Sequence, residues 1–138
     1  MGPAGAQGAA GAQGGTGAQG GTGPKGDPGY ASNRAIPATT TITALDTTGD
    51  VGLNTSITIG TDGLGLISYH DDTNDDLKVA HCSNTNCTAA TITSLDTTGD
   101  VGIDSSVTIG ADGLGLISYH DDTNGDLKVA ACANTFCS

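Results

Sequence analysis

Residues 41–88 read TITALDTTGDVGLNTSITIGTDGLGLISYHDDTNDDLKVAHCSNTNCT, and residues 91–138 read TITSLDTTGDVGIDSSVTIGADGLGLISYHDDTNGDLKVAACANTFCS. Of the 48 aligned positions eleven differ and 37 are identical, with mild exchanges such as Ile57 for Val107. A period of roughly 40–50 residues with several short β-rich runs per unit is the pattern of a β-propeller blade. Two blades cannot close a propeller, so the unit stays incomplete until it meets further copies.

Within one repeat, TITAL (41–45) is a short β-rich run followed by the turn-rich DTTGDVG. SITIG (56–60), LGLISYH (64–70) and DLKVAHC (76–82) follow, separated by TDG and DDTND. Short runs rich in β-branched residues and bounded by Gly, Asp and Asn carry strand and turn signals. In the second copy Asn124-Gly125 predicts a two-residue hairpin turn with positive φ. The first copy has Asp75 in the Gly125 place, a less comfortable choice. Leu64 and Leu66 fall on one face of the third run, Ile67 and Tyr69 on the other. Both faces are therefore expected to be buried, as in a blade stacked between blades.

The order of the runs decides the architecture. With SITIG innermost, LGLISYH second and DLKVAHC third, TITSL (91–95) becomes the outer strand of the first blade. The second blade then reaches Ser138 without a fourth strand, while Thr41, Ile42, Thr43, Ala44 and Leu45 precede the first blade with nothing of their own to cover. The chain is permuted by one strand. We read Thr41–Leu45 as a strand handed to the last blade of a neighbouring chain, which removes exposed sheet edges. Such a head-to-tail contact closes into a ring or runs on as a filament.

Residues 2–31 set the copy number. They form ten triplets with Gly in first place, GPA GAQ GAA GAQ GGT GAQ GGT GPK GDP GYA. Only Gly fits at the crowded axis of three polyproline-like chains, so this is a collagen-type signature. A flexible Gly/Ala linker has no reason to keep phase for ten triplets. Proline is sparse in this stretch, and the richest part, GPKGDPG, lies nearest the repeats; there Lys25 and Asp27 are placed to pair between staggered chains. At about 3 Å per residue the rod is roughly 90 Å long. Tyr30, Arg34, Ile36 and Pro37 fall at the junction where three chains splay into the head. The expected domains are a stalk at 1–31, a junction at 32–40 and a two-repeat head at 41–138, with repeats 41–90 and 91–138. The expected fold class is all-β: two four-stranded propeller-like blades per chain, a six-bladed propeller as a homotrimer with exchanged strands, and a collagen triple helix in front.

Composition narrows the function. A net charge of −11 opposes a nucleic-acid partner, which needs basic patches. No apolar run reaches transmembrane length, so no membrane insertion is expected, and Met1-Gly2 does not open a signal-peptide pattern. The cysteines form two C-x4-C pairs, Cys82 with Cys87 and Cys132 with Cys137. One local disulfide per blade follows, which implies an oxidising compartment and an extracellular or cell- or virion-surface location. A four-Cys zinc site is disfavoured because the pairs, fifty residues apart, belong to different blades. His70 and His120 follow Tyr69 and Tyr119 at equivalent strand ends, and Ala131 stands where the first copy has His81. No nucleophile–base arrangement is evident, so no enzyme activity and no cofactor are expected. The acidic turn of Asp71, Asp72, Asn74, Asp75 and Asp76 offers hard oxygen ligands, with Asp71, Asp72 and Asp76 as the calcium candidates, although the spacing matches no EF-hand loop.

The DGLGLISYHDDTNGDLKVA stretch resembles repeats of bacterial secreted proteins, distantly like the Asp-box blades of sialidase-type propellers, and residues 2–31 resemble bacterial and phage collagen-like stalks. The Asp/Gly turn of the Asp box is present without its Trp. The arginine cluster that a sialidase needs is missing, since Arg34 is the one arginine; sialidase activity is excluded.

Three functions then compete. The first is an extracellular structural protein whose propeller head trimerises, registers and caps a collagen-like fibre. The second is an adhesin or fibre tip that recognises surface glycans, with Tyr69, His70, Tyr119 and His120 as ligand contacts. The third is a head-to-tail subunit of an open extracellular filament.

Overall fold

The computed structural model describes residues 1–19, 21 and 40–138. Residues 1–19 run without hydrogen-bonded secondary structure and are exposed throughout. Lys25, Asp27, Tyr30, Arg34, Ile36 and Pro37, and with them nearly all of the junction, lie outside the described residues. From Val51 onward the chain is all-β: β1 (Val51–Ile59), β2 (Gly65–Asp71), β3 (Asp76–Cys82), β4 (Ala90–Asp96), β5 (Val101–Ile109), β6 (Gly115–Asp121) and β7 (Asp126–Ala131). These strands build a four-stranded sheet in the order β1-β2-β3-β4 and a three-stranded sheet in the order β5-β6-β7, antiparallel throughout. TITSL is the fourth strand of the first sheet, whereas 41–45 form no strand.

Two local expectations need correction. Strand β1 starts at Val51, five residues before SITIG, and its register slips twice, between Val51 and Leu53 and between Leu53 and Ser56. Gly52 (φ 89°) and Asn54 (φ 49°) supply the positive φ that these bulges require. Residues suited to positive φ also suit turns, so the stretch reads as a loop in sequence. The second correction concerns the Asn124-Gly125 turn. Asp121 pairs with Asp126, which leaves four residues in the loop, and only Gly125 (φ 70°) has positive φ. The side chain of Asp121 reshapes the loop by accepting from the backbone and the amide of Asn124, at 3.0 Å each.

The core lies between the sheets. Partners across a ladder share a face, so Leu66, Ser68, His70, Leu77, Val79 and His81 stand together on one side of the first sheet. That side meets the side of the second sheet that carries Val107, Ile117 and Tyr119, and Leu66, Leu77, Val79, Val101, Val107 and Ile117 form one buried cluster. Close approach is set by glycine. A Cβ on Gly102 would lie 2.7 Å from the Leu77 Cα, and one on Gly115 would lie 2.7 Å from Leu66 Cδ2. Polar groups in the seam pair across it: the Ser68 and Ser105 hydroxyls are 2.9 Å apart, and the Val107 N–H donates to Ser56 Oγ at 3.1 Å.

Disulfides Cys82–Cys87 and Cys132–Cys137 fasten the loop after the third strand of each repeat. Asn84 and Asn134 shape these loops by accepting backbone N–H bonds from the residues that follow. Closing such a short loop is worth on the order of 2 kcal/mol by loss of unfolded-state entropy. Two disulfides point to an oxidising environment. Among the described residues no helix is long and apolar enough to cross a membrane.

Candidate functional site: the open sheet faces and the repeat junction

Each repeat holds one charged cluster on the face that carries its tyrosine. In the first, Lys78 donates to Asp46 at 2.7 Å and to Asp71 at 3.3 Å, while the Tyr69 hydroxyl donates to Asp46 at 2.8 Å. In the second, Lys128 bridges Asp96 and Asp121, and Tyr119 donates to Asp96 at 2.8 Å. Burial pushes the Asp46 carboxyl up, but the bonds from Lys78 and Tyr69 outweigh it and hold the group at about 2, below its ordinary 3.8. Burial also pushes the Lys78 ammonium down, and the two carboxylates more than compensate, leaving it raised. Burial and the Asp96 carboxylate push the Tyr119 phenol up to about 12. All these groups are locked in the ionisation state that their partners need.

The clusters also work as links. Asp96 ends β4 in the first sheet and reaches the second sheet's Tyr119 and Lys128. Asp46 reaches the first sheet's Tyr69 and Lys78 in the same way, yet the five residues before it pair with nothing, and Ile42 is almost fully exposed. Thr43, Leu45, Val51, Thr55, Ile67 and Ala80 line a groove there of ≈ 200 Å³.

Tyr69 and Tyr119 are both buried with their hydroxyls engaged. His70 is buried in the seam and His120 is half-exposed. Asp71 is buried and spends its carboxylate on the N–H groups of Thr73 and Asn74, the Asn74 amide and Lys78. Asp72 is exposed, and Asp76 pairs with Asp71 at the hairpin. The one group of described His, Cys, Asp and Glu residues whose ligand atoms converge is a different one: His70, Asp75 and Asp100, all within 4.8 Å of one another.

Sequence reasoning passed over Asp46, Asp96, Lys78 and Lys128. Their signal is the Asp that follows TITAL and TITSL at the same offset from a strand lysine in both copies. It also passed over Asp100, which only the packing of one repeat on the next brings to His70 and to Asp75 of the acidic turn. No protein-family model, curated protein or solved structure matches the chain.

Proposed function

We propose that this is a structural stalk-and-head protein of the extracellular space or of a cell or virion surface. Residues 1–31 are its collagen-like stalk, 32–40 the junction and 41–138 the head. Three chains wind through their Gly-X-Y triplets, and their heads close into a six-bladed propeller-like ring that registers and caps the fibre. The protein has no enzymatic role.

One observation carries this reading: equivalent residues of the two repeats are buried at the seam and exposed at the ends. Leu77 and Val79 are fully buried, while Leu127 and Val129 are 81% and 58% exposed. On the opposite faces Val107 is 7% exposed and Ile57 is 63% exposed. The bare side of the second sheet thus has the composition of the side that the first sheet buries. The bare side of the first sheet has the composition of its partner. Placed head to tail, two copies repeat the contact that the chain already makes within itself.

Gly52 supports the same reading. Its counterpart Gly102 is pressed onto Leu77, whereas a Cβ on Gly52 would touch nothing within 4 Å, which leaves room for a neighbour's Leu127. If a neighbour's strand follows the register of β4 on β3, where Thr93 stands opposite Val79, its Thr43 stands opposite Val129. This is the handed strand.

The ring is preferred to an open filament because a collagen-type stalk gathers three heads and no more. A glycan-binding tip is the weaker reading, since Tyr69 and Tyr119 already bury their rings and commit their hydroxyls. Light scattering on the intact chain tests the proposal: a mass three times 13.4 kDa is expected, and a monomer across the accessible concentrations would sink it.

A further inference from the structure

The seam between the repeats contains a histidine that the stalk-and-head reading does not use. The His70 side chain is 4% exposed, and its Nδ1 lies 2.8 Å from the Val101 carbonyl oxygen. A carbonyl only accepts, so Nδ1 carries the proton and the Nε2 lone pair points away from it. Nε2 makes no hydrogen bond. It faces Asp72 Oδ1 and Asp100 Oδ1, each 3.8 Å away. A ring held through one nitrogen by a backbone carbonyl, with the other nitrogen free, has the supporting contact typical of a metal-ligating histidine.

A second, independent observation comes from Asp100. Its Oδ1 is shielded from solvent and has no hydrogen-bond partner. A shielded carboxylate oxygen left unpaired calls for an ion or a water to meet it. That oxygen is the one aimed at His70 Nε2. Asp75 brings a third ligand atom to within 4.8 Å of the others, and its position is pinned because its carbonyl accepts the Val101 N–H at 3.0 Å.

We propose that His70, Asp75 and Asp100 bind a divalent cation at the seam between the repeats, with Asp72 at its rim. One imidazole nitrogen with two or three carboxylates is a mixed donor set suited to Zn²⁺ and similar first-row ions. Ca²⁺, which takes six to eight oxygens, fits it less well. All the donors come from one chain, so the site does not depend on the ring. The second repeat lacks it, because Gly125 stands in the Asp75 place and His120 is half-exposed. The stoichiometry is therefore one ion per chain.

The test uses the full-length, untagged, disulfide-intact chain, stripped with chelator and titrated with Co²⁺ as a spectroscopic probe and with Zn²⁺ by calorimetry. One equivalent should bind, with new d–d absorption bands and a melting temperature that rises with added Zn²⁺. Asp75→Gly copies the second repeat and keeps the fold, and it should weaken binding by about tenfold or more. His70→Gln should abolish the bands, with circular dichroism as the check on folding. No saturable binding up to about 1 mM would overturn the proposal and leave His70 as a packing group of the seam. Unchanged affinity in Asp75→Gly would overturn it as well, by showing that the ion sits on other surface carboxylates.

Discussion

The two sheets share GLISYHD and the following DLKVA residue for residue, yet Leu66, Leu77 and Val79 are buried while Leu116, Leu127 and Val129 face solvent. The same comparison inverts on the other faces, where Val107 is covered and Ile57 is bare. Local sequence cannot cause this difference, because it is almost identical. Position in the chain does: the first sheet has a neighbour on one side, the second sheet on the other. Each repeat therefore reports what its twin lacks, and burying those exposed side chains removes the apolar surface most in need of cover.

The comparison can be broken most sharply at paired leucines. Leu77→Ala should cost about 2–5 kcal/mol of chain stability, as expected for a leucine truncated in a closed core. Leu127→Ala should leave the isolated chain within about 0.5 kcal/mol of wild type and, if the proposed trimer forms, lower its mass on dilution instead. Urea unfolding reads the first effect and light scattering the second. Equal costs in the monomer would remove the asymmetry on which the proposed assembly rests.

Glycines give the next test. Gly52 and Gly102 have φ near 90°, so alanine strains the backbone equally at both. Only at Gly102 does the added methyl also meet Leu77. Gly102→Ala should therefore be worse than Gly52→Ala by roughly 1–3 kcal/mol, the range of overpacking, when both are unfolded as monomers. If the proposed trimer forms, the gap should narrow in it, because a neighbour's Leu127 would then crowd Gly52.

The charged clusters sharpen the comparison through pH. Asp46 is held at about 2, below its ordinary 3.8. The stability it contributes is therefore present above pH 3.8 and is lost as pH falls from there towards 2. Asp46→Asn should cost about 1–2 kcal/mol at neutral pH, less than a fully buried pair, because Asp71 still faces Lys78. It should also flatten the acid limb of a melting-temperature profile. Asp96→Asn should cost less, since Lys128 is a third exposed where Lys78 is nearly covered.

The smallest effect belongs to the hairpins. Asp75 has φ 59° where the second repeat has Gly125. Relieving this left-handed conformation with Asp75→Gly should raise the metal-free melting temperature slightly, by less than about 1 kcal/mol of stability.

Much of the fold was legible because the repeat printed it twice. The alternation in SITI and DLKV marks strands, and the unpaired TITAL beside a three-run second copy marks the permutation. The start of β1 was hidden because its bulges use Gly52 and Asn54, the residue types that also make turns. The hairpin was misjudged because its loop is shaped by the Asp121 carboxylate, not by the Asn-Gly pair alone. At the site, Cys82 with Cys87 and Cys132 with Cys137 could be read from spacing. Asp46 and Lys78 lie thirty-two residues apart and meet only once the segment before β1 is laid against β3. His70 and Asp100 meet only across the seam, which no single repeat contains.

The handed strand is the central claim, and cysteine cross-linking tests it most directly. Thr43→Cys and Val129→Cys, combined in one chain, place two thiols opposite each other between neighbouring copies if Thr41–Leu45 pairs on β7. Mild oxidation should then yield a covalent species that stops at three chains on a non-reducing gel, while either single substitution yields none. A chain that stays monomeric under oxidation, with both thiols free, would contradict the account. A ladder continuing past three would replace the ring with a filament.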